Sequence, residues 1–199
     1  MTNIILGIAI ATASLTACNS HNATDTKQTE IKNDSPATNT VQKSPDTTII
    51  PATVAFPVNE IIADYLQLKN ALTKDNGKDA AKAGNAIIAT LATVDMKSLP
   101  AEQMKSYMDI ADDLKEHAEH IGANGDKIEH QREHFVMLSK DITDLIKAFG
   151  NGGQTLYKDF CPMANNGKGA IWISELKEIK NPYYGKSMST CGSVKETLK

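Results

Sequence analysis

Two segments near the C-terminus gather the softest donors of the chain. Cys161-Pro162-Met163 opens a stretch that closes with Met188-Ser189-Thr190-Cys191-Gly192. Thiolate and thioether sulfurs select Cu(I)-like ions, and C-x-M on one side faces M-x-x-C on the other. The same cysteines support a second reading, a disulfide closing a loop of about 30 residues and contributing about 3 to 4 kcal/mol by restricting the unfolded chain. The two readings are compatible if the disulfide is the oxidised form and the metal site the reduced one. Taken singly, Met163 and Met188 are adaptable core filler; their places beside the cysteines make them candidate ligands.

Histidines extend the set. His117 and His120 are three residues apart and His130 and His134 four apart, so each pair shares a helical face. At ~100° per residue, His117 and His134 fall at the edge of their apolar stripes, while His120 and His130 turn further toward solvent. A short connection near Gly125 brings His117 and His134 within about one turn of each other if the two helices run antiparallel. Two cysteines and two histidines would also suit zinc, but the spacing between Cys161 and Cys191 fits no standard finger, so copper is the better match.

These residues need a scaffold, and the helical period supplies one. Val58, Ile61, Ile62, Tyr65, Leu68 and Leu72 recur at three-four spacing between Pro57 and a stop at Asp75-Asn76-Gly77. Ala80, Gly84, Ile87, Ile88, Leu91 and Val94 repeat the pattern with small residues that permit close approach. A third helix follows Ser98-Leu99-Pro100 with Met104, Tyr107, Ala111, Leu114, Ala118 and Ile121 on one side. A fourth carries Ile128, Phe135, Leu138, Ile142, Leu145 and Phe149 and ends at Gly150. Asp126 with Glu129 reads as its capping box. Short connections predict a mainly α fold, an antiparallel four-helix bundle over residues 57–150. In residues 151–199, Leu156–Phe160 and Ala170–Ile173 read as short strands around the turn Asn165-Asn166-Gly167-Lys168-Gly169. They predict a β-hairpin-like tail packed on the bundle as part of the same domain, anchored by Trp172.

The N-terminal segment sets the address. Residues 1–17 contain an apolar stretch, Ile4 to Leu15, too short to span a bilayer but suited to a signal peptide. Leu15-Thr16-Ala17-Cys18 looks like a bacterial lipoprotein lipobox, which makes Cys18 the lipidated residue and leaves Cys161 and Cys191 as the two mature cysteines in an oxidising compartment. Residues 18–56 have the Thr, Asn, Ser, Asp and Pro composition of a disordered tether. The expected location is the cell envelope, lipid-anchored and facing the periplasm or on the outer-membrane surface.

Function classes narrow further by exclusion. A net charge of −3 without a basic face argues against nucleic acid as a partner. No nucleophile elbow, P-loop or dinucleotide fingerprint is present, and Cys161-Pro162-Met163 is not a C-x-x-C redox pair, so no enzymatic activity is expected.

The runs Phe160-Cys161-Pro162-Met163-Ala164, Gly169-Ala170-Ile171-Trp172-Ile173-Ser174, Lys177-Glu178-Ile179, Asn181-Pro182-Tyr183-Tyr184-Gly185, Met188 and Cys191-Gly192 resemble a bacterial domain of unknown function. The helical run Ile128-Glu129-His130-Gln131-Arg132-Glu133-His134-Phe135 with Leu138-Ser139 resembles it too. That domain occurs in small lipoproteins and at the C-terminus of periplasmic adaptor subunits of Cus-type heavy-metal efflux pumps. The resemblance implies a helical domain tied to copper or related metal handling outside the cytoplasm, with efflux or metal-transfer proteins as partners. It implies no catalytic activity. Sequence thus predicts a copper or soft-metal binding protein with Cys161, Met163, Met188, Cys191, His134, His117 and His120 as candidate ligands. The competing expectation is a disulfide-stabilised interaction module of the envelope.

Overall fold

The computed structural model describes residues 56–199. The expected signal peptide, the expected lipidation at Cys18 and the expected tether up to residue 55 lie outside the described residues.

Four helices form in chain order: α1 Val58–Thr73, α2 Gly77–Leu91, α3 Ala101–Ala123 and α4 Ile128–Phe149. The expected apolar stripes are the buried ones. In α1, Ile61, Ile62, Tyr65, Leu68 and Leu72 are completely buried, and the helix stops where Asp75 enters the left-handed region with φ 57°. Asn76 then starts α2 by accepting a hydrogen bond from the Asp79 backbone N–H, which satisfies one of the donors a helix start leaves free. Gly84 brings α2 against α3: a Cβ there would lie 3.0 Å from the Ala118 carbonyl oxygen and 3.1 Å from the Gly122 nitrogen.

α4 begins differently from expectation. Lys127, not Asp126, occupies the cap position, and no side chain caps the helix. The Glu129 carboxylate that a capping box would turn back to the helix start instead accepts from Arg132 Nη1 at 2.8 Å. An ion pair has taken the group that the local motif requires.

Beyond Gly150 (φ 86°) the chain forms a three-stranded antiparallel sheet, β1 Leu156–Cys161, β2 Ala170–Ser174 and β3 Ser193–Leu198, in the order β2-β1-β3. The expected hairpin is β1 with β2; β3 on the other side of β1 was not foreseen. Trp172 is fully buried on β2, edge-on to Tyr183 at 5.9 Å.

Polar groups lock the sheet to the helices. The Tyr65 hydroxyl accepts from the Ile173 backbone N–H at 3.0 Å and bonds Ser139 Oγ at 2.8 Å, joining α1, α4 and β2. Arg132, 8% exposed, donates to the Pro182 and Leu72 carbonyls and to the Asp75 carboxylate. This one guanidinium thereby holds the end of α1, the middle of the tail and α4 together, using the fork geometry that suits arginine to several acceptors. Lys69 is completely buried and reaches Glu175 at 2.8 Å. Asp159, also completely buried, has neither carboxylate oxygen in a hydrogen bond.

At the other end of the helices, Phe56 stacks on Phe149 with ring centroids 3.8 Å apart and meets Tyr107 edge-on at 5.4 Å. Phe56, the first of the described residues, therefore packs on the ends of α3 and α4.

Candidate metal centre

The histidines converge. His117 and His120 stand near the C-terminal end of α3, His130 and His134 in the first two turns of α4, and the connection at residues 124–127 holds the two helix ends side by side. Gln131 fixes the junction from inside, donating to the Ile121 carbonyl at 3.0 Å and to the Gly77 carbonyl at 2.9 Å. On the outer side, His117 Nδ1 lies 3.2 Å from His134 Nδ1. The His120 and His134 rings stack at 4.1 Å, and His130 stands edge-on to His134 at 4.6 Å. One ring nitrogen each from His120, His130 and His134 lies within 4.8 Å of the others. His134 is the hub of all four.

Crowding and burial keep the hub uncharged. Desolvation, followed by the neighbouring His120, His130 and His117, brings the His134 pKa down to about 4. Burial also lowers that of His117, against the opposing pull of Glu116 and Asp113. A neutral imidazole carries the lone pair that a metal ion requires. His130 Nδ1 sits 3.2 Å from a Glu133 carboxylate oxygen, an arrangement that fixes a tautomer and leaves Nε2 outward.

The sulfurs gather separately. Cys161, at the buried end of β1, places its Sγ 2.7 Å from Cys191 Sγ, and both are free cysteines in this structure. The Cys191 thiol is pushed up to about 11 by its hydrogen bond with Cys161, with burial contributing. Backbone contacts organise the loop around it: Asn181 Nδ2 donates to the Cys191 carbonyl and the Asn181 N–H to the Ser189 carbonyl. Met163 and Met188 are 50% and 36% exposed, so neither is core filler. The Tyr184 hydroxyl donates to the Met163 carbonyl and the Cys191 N–H to that of Met188, holding both methionine backbones at the tail.

The sequence had gathered sulfur and imidazole into one candidate shell. The structure brings them together as two groups, four imidazoles at the α3–α4 junction and a cysteine pair at the end of the central strand β1. Arg132, Glu133 and Val136 line a cavity with Ala164, Tyr183 and Tyr184 of the tail. His134 lies about 200° around the helix from Arg132 and Val136, while Glu133, which contacts His130, borders the same cavity. Among the described residues, the hydrogen-bond and ring contacts of the histidines share no residue with those of the cysteines. His130, which the angular reckoning turned toward solvent, belongs to the histidine group. Its i, i+4 spacing to His134 was the available signal.

Residues 61–154 match a family described as "Protein of unknown function (DUF3347)", a span that includes all four helices' packed faces and the four histidines but not the cysteine-bearing tail. No curated protein and no solved structure matches the chain.

Proposed function

Since the matched domain comes with no described activity, we propose from the donor groups that this chain is a lipid-anchored, extracytoplasmic binding protein for copper or a similar soft metal ion, acting as carrier, buffer or efflux accessory. The observation that carries this reading is the approach of His120, His130 and His134, each with a ring nitrogen within 4.8 Å of the others. Surface histidines do not ordinarily stack around a neutral hub, because each loses solvation and repels the others once protonated. The paired thiols of Cys161 and Cys191, with Met163 and Met188 nearby in sequence, supply soft donors for Cu(I) when reduced. The resemblance to Cus-type adaptor domains points to metal-efflux or metal-transfer proteins as partners. The lipobox-like segment ending at Cys18 points to membrane attachment in the envelope. No catalytic role and no nucleic-acid partner belong to this reading.

The scaffold reading is an up-and-down antiparallel bundle. It is supported by the contacts between α3 and α4, where Ile121 meets Gln131 and His117 meets His134, so that one helix is descended as the other is climbed.

The test is a titration of the purified protein with Cu(I) against a competing chelator, with free thiols counted with and without reductant. Retention of an ion, weakened when Met163→Leu is combined with Met188→Leu, supports metal handling through the tail; failure to retain any ion in either redox state refutes it. The 2.7 Å approach of the two Sγ atoms favours a second reading, a disulfide-stabilised envelope interaction module. It is upheld if the thiols resist reduction until the protein unfolds and no ion binds.

A further inference from the structure

We infer that His120, His130 and His134 form a ligand set of their own for one divalent ion of the Cu(II) or Zn(II) class, with His117 as a positioning residue, and that this site works without the cysteines. The inference rests on the metal-binding reading above and narrows it to an ion class and a location.

Donor type comes first. The cluster offers imidazole and no sulfur, and imidazole suits Cu(II) and Zn(II), with Cu(II) held more tightly at a given nitrogen site. A tetrahedral ion at Zn–N distances of about 2.0–2.1 Å needs its nitrogens about 3.3 Å apart. The present set, within 4.8 Å, requires a closure of at most about 1.5 Å. His120 is exposed and His130 is half-buried, so both rings have room to turn inward while His134 stays fixed.

Orientation comes second. Contact between His117 Nδ1 and His134 Nδ1 at 3.2 Å requires one to donate and the other to accept; in the tautomer where His134 Nδ1–H donates to His117, Nε2 of His134 keeps its lone pair and is the ligand atom. Glu133 does the same for His130. A carboxylate or other acceptor behind the coordinating ring is the usual partner of a metal-bound histidine.

Charge comes third. A Glu133 carboxylate oxygen lies 3.2 Å from His130 Nδ1, so a dication held by the cluster has a negative charge close behind one of its ligands. Three protein ligands leave a coordination position for water, through which an ion can be exchanged.

The experiment uses the full protein in a His21→Ala background, because His21 is the remaining histidine of the five in the chain, with Cys161 and Cys191 oxidised and the absence of free thiol verified. Cu(II) and Zn(II) are titrated in competition with a chelator, and the Cu(II) form is examined by electron paramagnetic resonance. One equivalent should bind, Cu(II) more tightly than Zn(II), with hyperfine coupling to imidazole nitrogens. His134→Ala and His130→Ala should each lower affinity at least 100-fold, and His117→Ala by 10- to 100-fold with the coupling retained. His120→Gln and His130→Ala change exposed or half-exposed rings, so they remain interpretable if His134→Ala does not fold. Absence of divalent binding to the oxidised protein, or binding unaltered by both of these variants, overturns the inference. If the reduced protein then still retains Cu(I), the broader metal-binding reading survives alone; if it retains nothing, both fall.

Discussion

Asp159→Asn should stabilise this protein at alkaline pH while changing little at acidic pH. Asp159 sits on β1 opposite Trp172 on β2, is completely buried, and has no hydrogen-bond partner at either oxygen. Burial raises its pKa from 3.8 to about 7, only partly opposed by the Lys69 ammonium. A carboxyl whose folded pKa lies above its unfolded value carries no penalty below the unfolded pKa. It loses stability as pH rises from about 4 through 7, because the unfolded chain ionises first. A shift of about three units corresponds to about 4 kcal/mol if fully expressed, and partial solvation of the site on ionising reduces this to about 2–4 kcal/mol. Asparagine keeps the shape and cannot ionise. Lys69 retains Glu175 at 2.8 Å as its counter-charge. Urea unfolding of both proteins at pH 4, 5.5, 7 and 8.5 checks this: the difference in stability between variant and wild type should grow in favour of asparagine by about 2–4 kcal/mol across the range. Contributions from His134 and from Asp141, whose carboxyl burial raises to about 6, occur in both proteins and cancel. Parallel curves, with a constant difference at every pH, would refute the reasoning and mean that Asp159 ionises as easily folded as unfolded.

Arg132→Met should cost about 3–5 kcal/mol in urea unfolding, because it strands the Leu72 and Pro182 carbonyls and frees the Asp75 carboxylate that Arg132 holds below the usual range. Gly185→Ala should cost about 1–3 kcal/mol from the left-handed φ of 53° alone, and more once its Cβ meets the Asp75 carboxylate and comes within 2.7 Å of Arg132 Nη2; thermal denaturation reads the loss. Oxidising Cys161 and Cys191 should raise stability by about 3–4 kcal/mol over Cys191→Ser, and the gain should disappear on adding reductant; melting with and without reductant measures it.

The helices were legible in sequence because their stability depends on one repeated variable, the apolar stripe. Ile61, Leu68 and Leu72, or Phe135, Leu138, Ile142 and Leu145, are all completely buried, and the 3.6-residue period reports this directly. β3 escaped because Ser193–Leu198 has no buried face; its pairing with β1 rests on backbone hydrogen bonds that carry no side-chain signature. Asp126 misled because a capping box is a local motif, and Glu129 was claimed by a residue three positions on that itself answers to Leu72 and Pro182, far away in sequence. The histidines were half legible. Angular position on one helix foretold the contact of His117 with His134, but not that His130, turned partly to solvent, would meet its neighbours along the outside of the same junction. The burial of Lys69 had no sequence signal, since its partner Glu175 comes from a distant element, and that of Asp159 had none either, since it is buried without a hydrogen-bond partner.

The ring stack of Phe56 on Phe149 sits at the C-terminal end of α4, whereas His134 lies fifteen residues back along that helix, or about 22 Å at 1.5 Å per residue. A change in packing at Phe56 would therefore have to travel most of the length of α4 to reach the imidazoles, so the two ends of this helix can be altered independently.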